Sequence, residues 1–350
     1  MRESEKFELR KVANDLSGLY GMTDAVLNDG RAKGVRAIFL KSDKGLECTV
    51  LADRCLDIPY LSYKGVNFSL TSKMGVSSPA YFLDDGGFMA FLRQFNCGSI
   101  TTCGITHCGP PEVRDGVSYA LHGLIGNTPG ENVNKYEEVI DDEVVLTVEG
   151  EMRQAVHGME YLVLHRKLQL FTEQNIIRIT DVLENRGFST HPVLMLYHMN
   201  AGYPVLDTGA KLYFSTTKIE PVDAFSASRI DAANIIEEPL TEGFGDEMFW
   251  RTESKTPEGI GMIHNEKLGL AQIVHYDTTT LPVFCQWKLP QAGNFSQAME
   301  PSTAGNGGLA NAKKHGWDVY IKPGEKMRFS VAIEVTDDAE KIAAYKRMCE

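Results

Sequence analysis

The strongest constraint on this chain is an apolar residue at every second position in several segments. In residues 327–335 the apolar positions are Met327, Phe329, Val331, Ile333 and Val335. A period of two places these side chains on one face of an extended strand, whereas a helix needs a period near 3.6. The segment therefore predicts a β-strand with one buried face.

The same period recurs in residues 161–170 and 177–183, and residues 144–148 form another apolar run. Residues 35–40 and 48–52 flank a Ser-Asp-Lys-Gly sequence at 42–45, which is typical of a hairpin turn. Helical patterns are confined to residues 88–95 and 337–349, the second with Asp337 or Asp338 as its cap. We predict an all-β fold, a large antiparallel β-sandwich with a few short helices. No linker-like boundary interrupts the chain, so residues 1–350 are interpreted as one domain with a short N-terminal lead-in and a C-terminal helix.

Composition and charge exclude several classes of partner. The 47 acidic residues exceed the 35 basic ones, the net charge is -12, and no basic stripe suited to nucleic acid is present. No stretch approaches the roughly 20 apolar residues of a membrane span, and the charged start is unlike a signal peptide. The seven cysteines show no spacing typical of secreted disulfide frameworks. A reduced, cytoplasmic location is expected.

Three short segments, far apart in the chain, carry residues suited to moving protons on a neutral sugar. They are Leu121-His122-Gly123, Tyr197-His198-Met199-Asn200 and Met299-Glu300-Pro301. A histidine donates or accepts a proton near neutral pH, and burial raises the pKa of a glutamate into the same range. Opening a hemiacetal ring needs a base at the anomeric hydroxyl and an acid at the ring oxygen.

Local sequence gives each of the three residues a structural alternative. Pro301 favours an extended or turn conformation before it, so Glu300 is expected at a strand end, where a solvated loop glutamate is the alternative. His198 follows an apolar run and is expected on, or at the end of, a buried strand, where a backbone carbonyl would satisfy it equally well. Gly123 lets another group approach closely beside His122, which suits a site. The alternative is that His122 is an ordinary turn residue.

These segments resemble the aldose 1-epimerase (galactose mutarotase-like) superfamily, and more closely the DUF4432 family. The resemblance spans roughly residues 30–335, and its marks are residues 53–58, 101–104, 121–123, 197–200 and 300–301. It implies a β-supersandwich with a cleft on one face. It also implies that Glu300 is the base at the anomeric hydroxyl, that His198 protonates the ring oxygen, and that His122 binds near that oxygen.

Arg54 resembles a substrate-facing arginine of the superfamily, and an ion pair with Asp53 or Asp57 is its structural alternative. The chain departs from true galactose mutarotases, because His198 is followed by Met-Asn and Gly123 is not followed by a second glycine. The sugar pocket is therefore expected to be remodelled.

Further side chains are candidates for binding the substrate. Asn200 is a hydroxyl binder, Trp287 could stack on a sugar face, and Lys288 could bind a hydroxyl, carboxylate or phosphate. His107 could point into the same cleft. The alternative for Trp287 and Lys288 is an ordinary strand with a buried indole and a solvated ammonium. A rim loop is interpreted at Asp246, Trp250 and Arg251.

The cluster of Cys97, Cys103, His107 and Cys108 could bind zinc, but it lacks a paired Cys-x-x-Cys spacing. We therefore predict no metal site and no cofactor. Nucleophile elbows, phosphate loops and dinucleotide fingerprints are absent from the sequence.

The leading interpretation is a sugar epimerase of the mutarotase type that acts on a small aldose or aldose derivative. An isomerase or epimerase acting at another sugar carbon is the first alternative, and a carbohydrate-binding or sensing protein without catalysis is the second. The sequence leaves open whether the protein forms a homo-oligomer.

Overall fold

Strands dominate the computed structural model, which describes residues 1–350. The first ten strands are Gly21–Val26 (β1), Arg36–Lys41 (β2), Leu46–Leu51 (β3), Asp57–Tyr63 (β4), Val66–Asn67 (β5), Leu70–Thr71 (β6), Cys97–Gly98 (β7), Thr101–Cys103 (β8), Glu112–Arg114 (β9) and Val117–Tyr119 (β10).

The remaining fifteen strands include all those of the two largest sheets except β8. They are Glu131–Ile140 (β11), Glu143–Ala155 (β12), Tyr161–Phe171 (β13), Ile176–Asn185 (β14), His191–Pro192 (β15), Leu196–Ala201 (β16), Lys211–Phe214 (β17), Thr216–Pro221 (β18), Glu247–Ser254 (β19), Glu258–Asn265 (β20), Leu270–Asp277 (β21), Val283–Leu289 (β22), Ser296–Ser302 (β23), Tyr320–Ile321 (β24) and Lys326–Thr336 (β25).

Helices are short and few. The α-helices are Lys6–Leu9 (α1), Phe88–Leu92 (α2), Ala224–Ser228 (α3), Gly308–His315 (α4) and Ala339–Cys349 (α5). Single 3₁₀ turns lie at Glu3–Glu5, Leu16–Gly18, Gly30–Ala32, Pro79–Tyr81, Ile125–Asn127 and Ile230–Ala232. None of the helices has the length and apolar character needed to cross a membrane.

Two large antiparallel sheets form the sandwich. The eight-stranded sheet has the order β11-β12-β13-β14-β25-β21-β20-β17, and the six-stranded sheet has the order β18-β19-β22-β23-β16-β8. A third sheet, β1-β2-β3-β4-β5, adds five strands. The all-β prediction is confirmed. The alternating segment 327–335 lies within β25, which pairs with β14 on one side and β21 on the other.

Several local predictions match the structure closely. The turn at residues 42–45 joins β2 to β3 in the predicted hairpin. The C-terminal helix begins at Ala339, and the carboxylate of Asp338 caps it by accepting from the backbone N–H groups of Glu340 and Lys341. Helix α4 was not predicted, because its sequence opens with glycine and has few apolar residues.

The six-stranded sheet has two faces with different surroundings. Its inner face packs against the eight-stranded sheet, and the main core of 51 buried residues, including Tyr197, Met199 and Phe284, lies there. Its outer face carries a smaller cluster of 11 buried residues under α2, α4 and the loops around residue 108. Because neighbouring residues of a strand point to opposite faces, Tyr197 faces inward and His198 faces outward.

A buried ionic network joins the two sheets on the inner face. The guanidinium of Arg166 donates to both carboxylate oxygens of Asp181, at 2.9 and 2.7 Å, and to Asp57 at 2.8 Å. Tyr197 donates to Asp181 at 2.8 Å, and the hydroxyl and backbone N–H of Thr102 both donate to Asp57. This network fixes β16 and β8 directly behind the outward-facing side chains.

Candidate active site

His198 and Glu300 stand across from each other on the outer face. Strands β16 and β23 pair Met199 with Met299 and Asn200 with Ala298, which sets His198 opposite Glu300. The Nε2 atom of His198 lies 3.1 Å from the Oε1 atom of Glu300. The pairing of β16 with β23 thus brings an imidazole and a carboxyl from distant parts of the chain into contact.

Pro301 interrupts the ladder at this point. Hydrogen-bonded pairs between β16 and β23 skip the two positions occupied by His198 and Tyr197, because proline has no N–H to donate. Contrary to the sequence prediction, Glu300 does not lie at a strand end: β23 continues through Pro301 to Ser302. Glu300 therefore lies within a strand of the sheet and is only 1% exposed.

His122 reaches the pair from a loop. Its backbone has φ of 60°, in the left-handed region. Its N–H donates to the carbonyl of Gly109, and its carbonyl accepts from the N–H of Gly104. A side chain at Gly123 would collide with the carbonyls of Gly104 and His107, which explains the glycine there. The His122 and His198 rings lie 6.0 Å apart and nearly perpendicular. The structure therefore gathers all three predicted catalytic residues.

Aromatic rings enclose these groups. Phe91 of α2 packs edge-on against His122, with ring centroids 4.9 Å apart, and Phe95 packs in the same way against His198 at 4.8 Å. The two phenyl rings stack on each other at 4.7 Å. Trp287 closes another side, 5.6 Å from His198. His198 is consequently only 5% exposed.

Burial controls the charge state of the pair. It raises the pKa of the Glu300 carboxyl to about 8 and lowers the pKa of His198 to about 4. Burial also lowers the pKa of His122 to about 3, with smaller contributions from His198 and His107. At neutral pH the favoured state is one in which both histidines are neutral and Glu300 holds the proton.

Three buried thiols surround the carboxyl. Cys285 stands across from Glu300 on the neighbouring strand β22, and Cys103 and Cys108 pack in the same outer cluster. The Oε1 atom of Glu300 is buried and has no hydrogen-bond partner apart from its 3.1 Å contact with His198. Cys97 lies elsewhere, at the start of β7. No group of three or more His, Cys, Asp or Glu side chains has the arrangement of a metal site.

Two of the predicted binding residues share this face. Trp287 is two positions from Cys285 and partly exposed, and its Nε1 donates to Asp246 of the predicted rim loop at 2.8 Å. Asn200 follows His198 by two positions, and its amide donates to the carbonyls of Gly98 and His198, both at 3.0 Å. The Oδ1 atom of Asn200 is buried without a partner.

Arg54 lies beside His122 but is occupied by the backbone. It donates to the carbonyls of Gly126, Ser77 and Gln94. Neither expected ion pair forms, because Asp53 pairs with Arg36 and Asp57 with Arg166. Arg54 and His122 border a cavity of about 10 Å³, which is large enough for one water and far too small for a sugar.

Lys288 lies outside the site. It points to the inner face, where its Nζ atom is 2.8 Å from Glu247 and donates to the carbonyl of Ala232. The expectation that it shares the surroundings of Glu300 is not met, because it adjoins Trp287 on one strand and so faces the other way. Arg251 also faces inward, donating to Gln286.

His107 and Trp250 are buried beside the site without reaching the pair. The Nδ1 atom of His107 lies 3.3 Å from Glu112, and neither ring nitrogen has a hydrogen bond. Trp250 donates to Asn306 at 2.8 Å, so it packs in the outer cluster and does not belong to a rim loop.

The sequence did not single out the residues that enclose the site as site residues. Phe91 and Phe95 were placed only within a predicted helical segment at 88–95, Cys108 was considered only as a zinc ligand, and Cys285 was given no role. A signal was available for Cys285: a period of two places it on the same face as Trp287. A larger cavity of about 620 Å³ lies along β1–β4, but none of the predicted site residues lines it.

Comparison with known proteins gives a family and a fold. The family model described as "Domain of unknown function (DUF4432)" matches residues 32–335. No curated protein matches the chain.

Several solved structures share the fold. A protein provisionally named an aldose 1-epimerase, from Klebsiella pneumoniae, superposes with a TM-score of 0.86 at 22% identity, over 95% of this chain and 89% of that one. A galactose mutarotase-like protein from Clostridium acetobutylicum gives 0.65 at 12% identity, over 91% and 99%. A galactose 1-epimerase from Lactobacillus acidophilus gives 0.59 at 12% identity, over 91% and 99%. The fold is therefore that of the galactose mutarotase-like proteins.

Proposed function

The chain belongs to the DUF4432 family, and from that premise we propose that it is an aldose 1-epimerase-like isomerase, which interconverts the anomers of an aldose or aldose derivative. The observation that carries the proposal is the contact between His198 and Glu300, with His122 beside it. Support for the substrate class comes from the fold, which the chain shares with proteins named as epimerases.

The chemistry requires two coupled proton transfers. One group removes the proton of the anomeric hydroxyl, and another delivers a proton to the ring oxygen as the C–O bond breaks. The open-chain aldehyde then rotates and the ring closes on its other face with the roles reversed. Each group thus acts once as acid and once as base.

The pair is suited to this cycle because it holds one mobile proton at neutral pH. We assign the anomeric hydroxyl to Glu300 and the ring oxygen to His198, as the family resemblance implies. Burial favours the state with the proton on Glu300, so the pair must pass this proton to His198 before ring opening in that direction. Ring closure runs from the favoured state directly.

Substrate access depends on the phenyl rings. With His198 5% and Glu300 1% exposed, a pyranose or furanose reaches both only if the segment of Phe91 and Phe95 is displaced. Two glycines at 86 and 87 precede α2, and Phe88, Met89 and Leu92 expose their side chains. Trp287 then offers an apolar ring to a sugar face, and the Oδ1 atom of Asn200 could accept from a hydroxyl.

Saturation-transfer NMR on a panel of aldoses tests the proposal. Glu300→Gln keeps the side chain's size but cannot accept or release a proton, so catalysed anomer exchange should fall by about 10²–10⁴-fold. Glu238→Gln, at an exposed position on the same chain, is the matched control and should exchange at the wild-type rate. Unchanged exchange in Glu300→Gln would refute the assignment.

The same samples separate the competing functions. Epimerisation at another carbon breaks a C–H bond, so deuterium from heavy water would enter a non-exchangeable position of the sugar. Ring opening breaks no such bond and should leave these positions unlabelled. Sugar affinity without any acceleration of exchange would instead identify a binding protein. The cytoplasmic location and the absence of nucleic-acid and membrane partners stay predictions.

A further inference from the structure

His122 has a contact that the proposed chemistry does not use. The Sγ atom of Cys108 lies 3.4 Å from Nδ1 of His122, within the range of a hydrogen bond to sulfur. Cys108 is fully buried and forms no disulfide. The contact thus joins a protected thiol to one specific ring nitrogen.

The backbone keeps the two side chains together. The N–H of His122 donates to the carbonyl of Gly109, the residue after Cys108, and its carbonyl accepts from Gly104. The carbonyl of Cys108 itself accepts from the N–H of Gly308 at the start of α4. Phe91 packs against the imidazole ring. With both loops held and Phe91 against the ring, a 180° rotation of the imidazole, which would put Cδ2 in the place of Nδ1, is disfavoured.

Protonation then decides what each nitrogen can do. Burial holds the pKa of the Cys108 thiol well above its usual range, so sulfur keeps its hydrogen at neutral pH. The pKa of His122 is lowered to about 3, so its ring is neutral and carries a single N–H. A neutral imidazole has one donor nitrogen and one acceptor nitrogen. An S–H group facing Nδ1 favours Nδ1 as the acceptor and leaves the hydrogen on Nε2.

We propose that Cys108 is a positioning residue, whose thiol donates to Nδ1 of His122 and fixes the tautomer that presents Nε2–H to the sugar. This deepens the proposed function and rests on it for the identity of the ligand. In that role His122 is a neutral hydrogen-bond donor to the ring oxygen as negative charge develops there, and it never removes a proton.

Nitrogen-15 NMR of the full chain reads the tautomer without any sugar. The protein, labelled at its nine histidines, is measured at pH 7, and His122→Asn identifies the His122 signals by their loss. The wild type should show hydrogen on Nε2 of His122. Hydrogen on Nδ1 would overturn the proposal, and this measurement needs no cysteine variant to fold.

Variants of the thiol then test its causal role. Cys108→Ser retains a donor and should preserve the Nε2–H tautomer, whereas Cys108→Ala should shift His122 toward Nδ1–H or a mixture. Cys103→Ala, another buried thiol of the same cluster, is the matched control and should leave the tautomer unchanged. An unchanged tautomer in Cys108→Ala would overturn the proposal.

Anomer exchange supplies an independent reading. Cys108→Ala should lower kcat roughly tenfold, the scale of one hydrogen bond, while KM changes less and Cys108→Ser restores the rate. Equal kcat in wild type and Cys108→Ala would overturn the positioning role. If the tautomer behaves as expected but the wild type catalyses no exchange with any aldose, the thiol contact is upheld and the proposed function falls.

Discussion

Two adjacent residues of β16, Tyr197 and His198, place buried polar groups in opposite surroundings on the two faces of the six-stranded sheet. On the inner face, Tyr197 joins a network in which Arg166, Asp57 and Asp181 satisfy one another with short hydrogen bonds. On the outer face, the next residue, His198, leaves Nδ1 buried without a partner, and the buried Oε1 atom of Glu300 has no hydrogen-bond partner beyond its 3.1 Å contact with Nε2 of His198. One step along a strand separates these two environments.

The difference is between buried polar groups that pair with one another and buried polar groups that are left unpaired. A buried charge is stable when other groups pair with it, and a buried polar atom without a partner costs stability. The network around Tyr197 on the inner face follows the first rule, with the Arg166 cation held between two carboxylates. The outer face concentrates unpaired groups around one histidine–carboxyl contact, which is expected where a ligand supplies the missing partners.

The largest expected effect tests the inner face. Arg166→Met leaves Asp57 and Asp181 buried without their cation, so the free energy of unfolding should fall by about 3–5 kcal/mol. Denaturant titration measures it. Arg178→Met, at an exposed position of β14, is the control and should cost far less. Equal losses in the two variants would mean that the inner network is not structural.

The pH dependence of anomer exchange tests the outer face. The pair holds one proton between the lowered pKa of His198, about 4, and the raised pKa of Glu300, about 8. Exchange above the enzyme-free rate should be maximal in this window and fall roughly tenfold per pH unit beyond either limit. Because the groups are in contact, both limits belong to the pair. A rate that keeps rising above pH 8 would contradict the one-proton requirement.

The pH dependence of stability sharpens the same contrast. The folded pKa of Glu300 is raised, so the folded protein holds a proton that the unfolded chain loses, and stability falls as pH rises toward about 8. The lowered pKa of His198 acts oppositely, but only below its unfolded value near 6.5. As pH rises from 6.5 to 8, the free energy of unfolding of Glu300→Gln should therefore increase relative to that of the wild type by up to about 2 kcal/mol. A constant difference between the free energies of unfolding of the two proteins across this range would show that Glu300 is already ionised in the folded protein.

The smallest effect concerns the hydroxyl that links β16 to the inner network. Tyr197→Phe removes one hydrogen bond to Asp181, which keeps its two bonds from Arg166. The free energy of unfolding should drop by about 1 kcal/mol, as measured by thermal or denaturant unfolding. Tyr203→Phe, at an exposed position, should change nothing measurable. A larger loss than in Arg166→Met would reverse the order of importance assigned to the network.

Local pattern predicted much of the fold and the three central residues. The period of two identified the strands around β25, and residue chemistry selected His122, His198 and Glu300. It failed where neighbours in sequence face opposite ways: Trp287 and Lys288 were both assigned to the sugar, although adjacent residues of a strand cannot share a face. The strand-end position of Glu300 was also wrong, because Pro301 was interpreted as a boundary and lies within β23.

The sequence by itself determined the strand periodicity, the turn at residues 42–45 and the kinds of side chain available for proton transfer, because these depend on residues close along the chain. Tertiary structure alone decided that His198 meets Glu300, that Phe91 and Phe95 cover them, and that a thiol faces His122. Protonation followed from the same assembly: a pKa responds to the solvent and atoms around a group, and here those atoms come from distant strands and loops that only folding brings together.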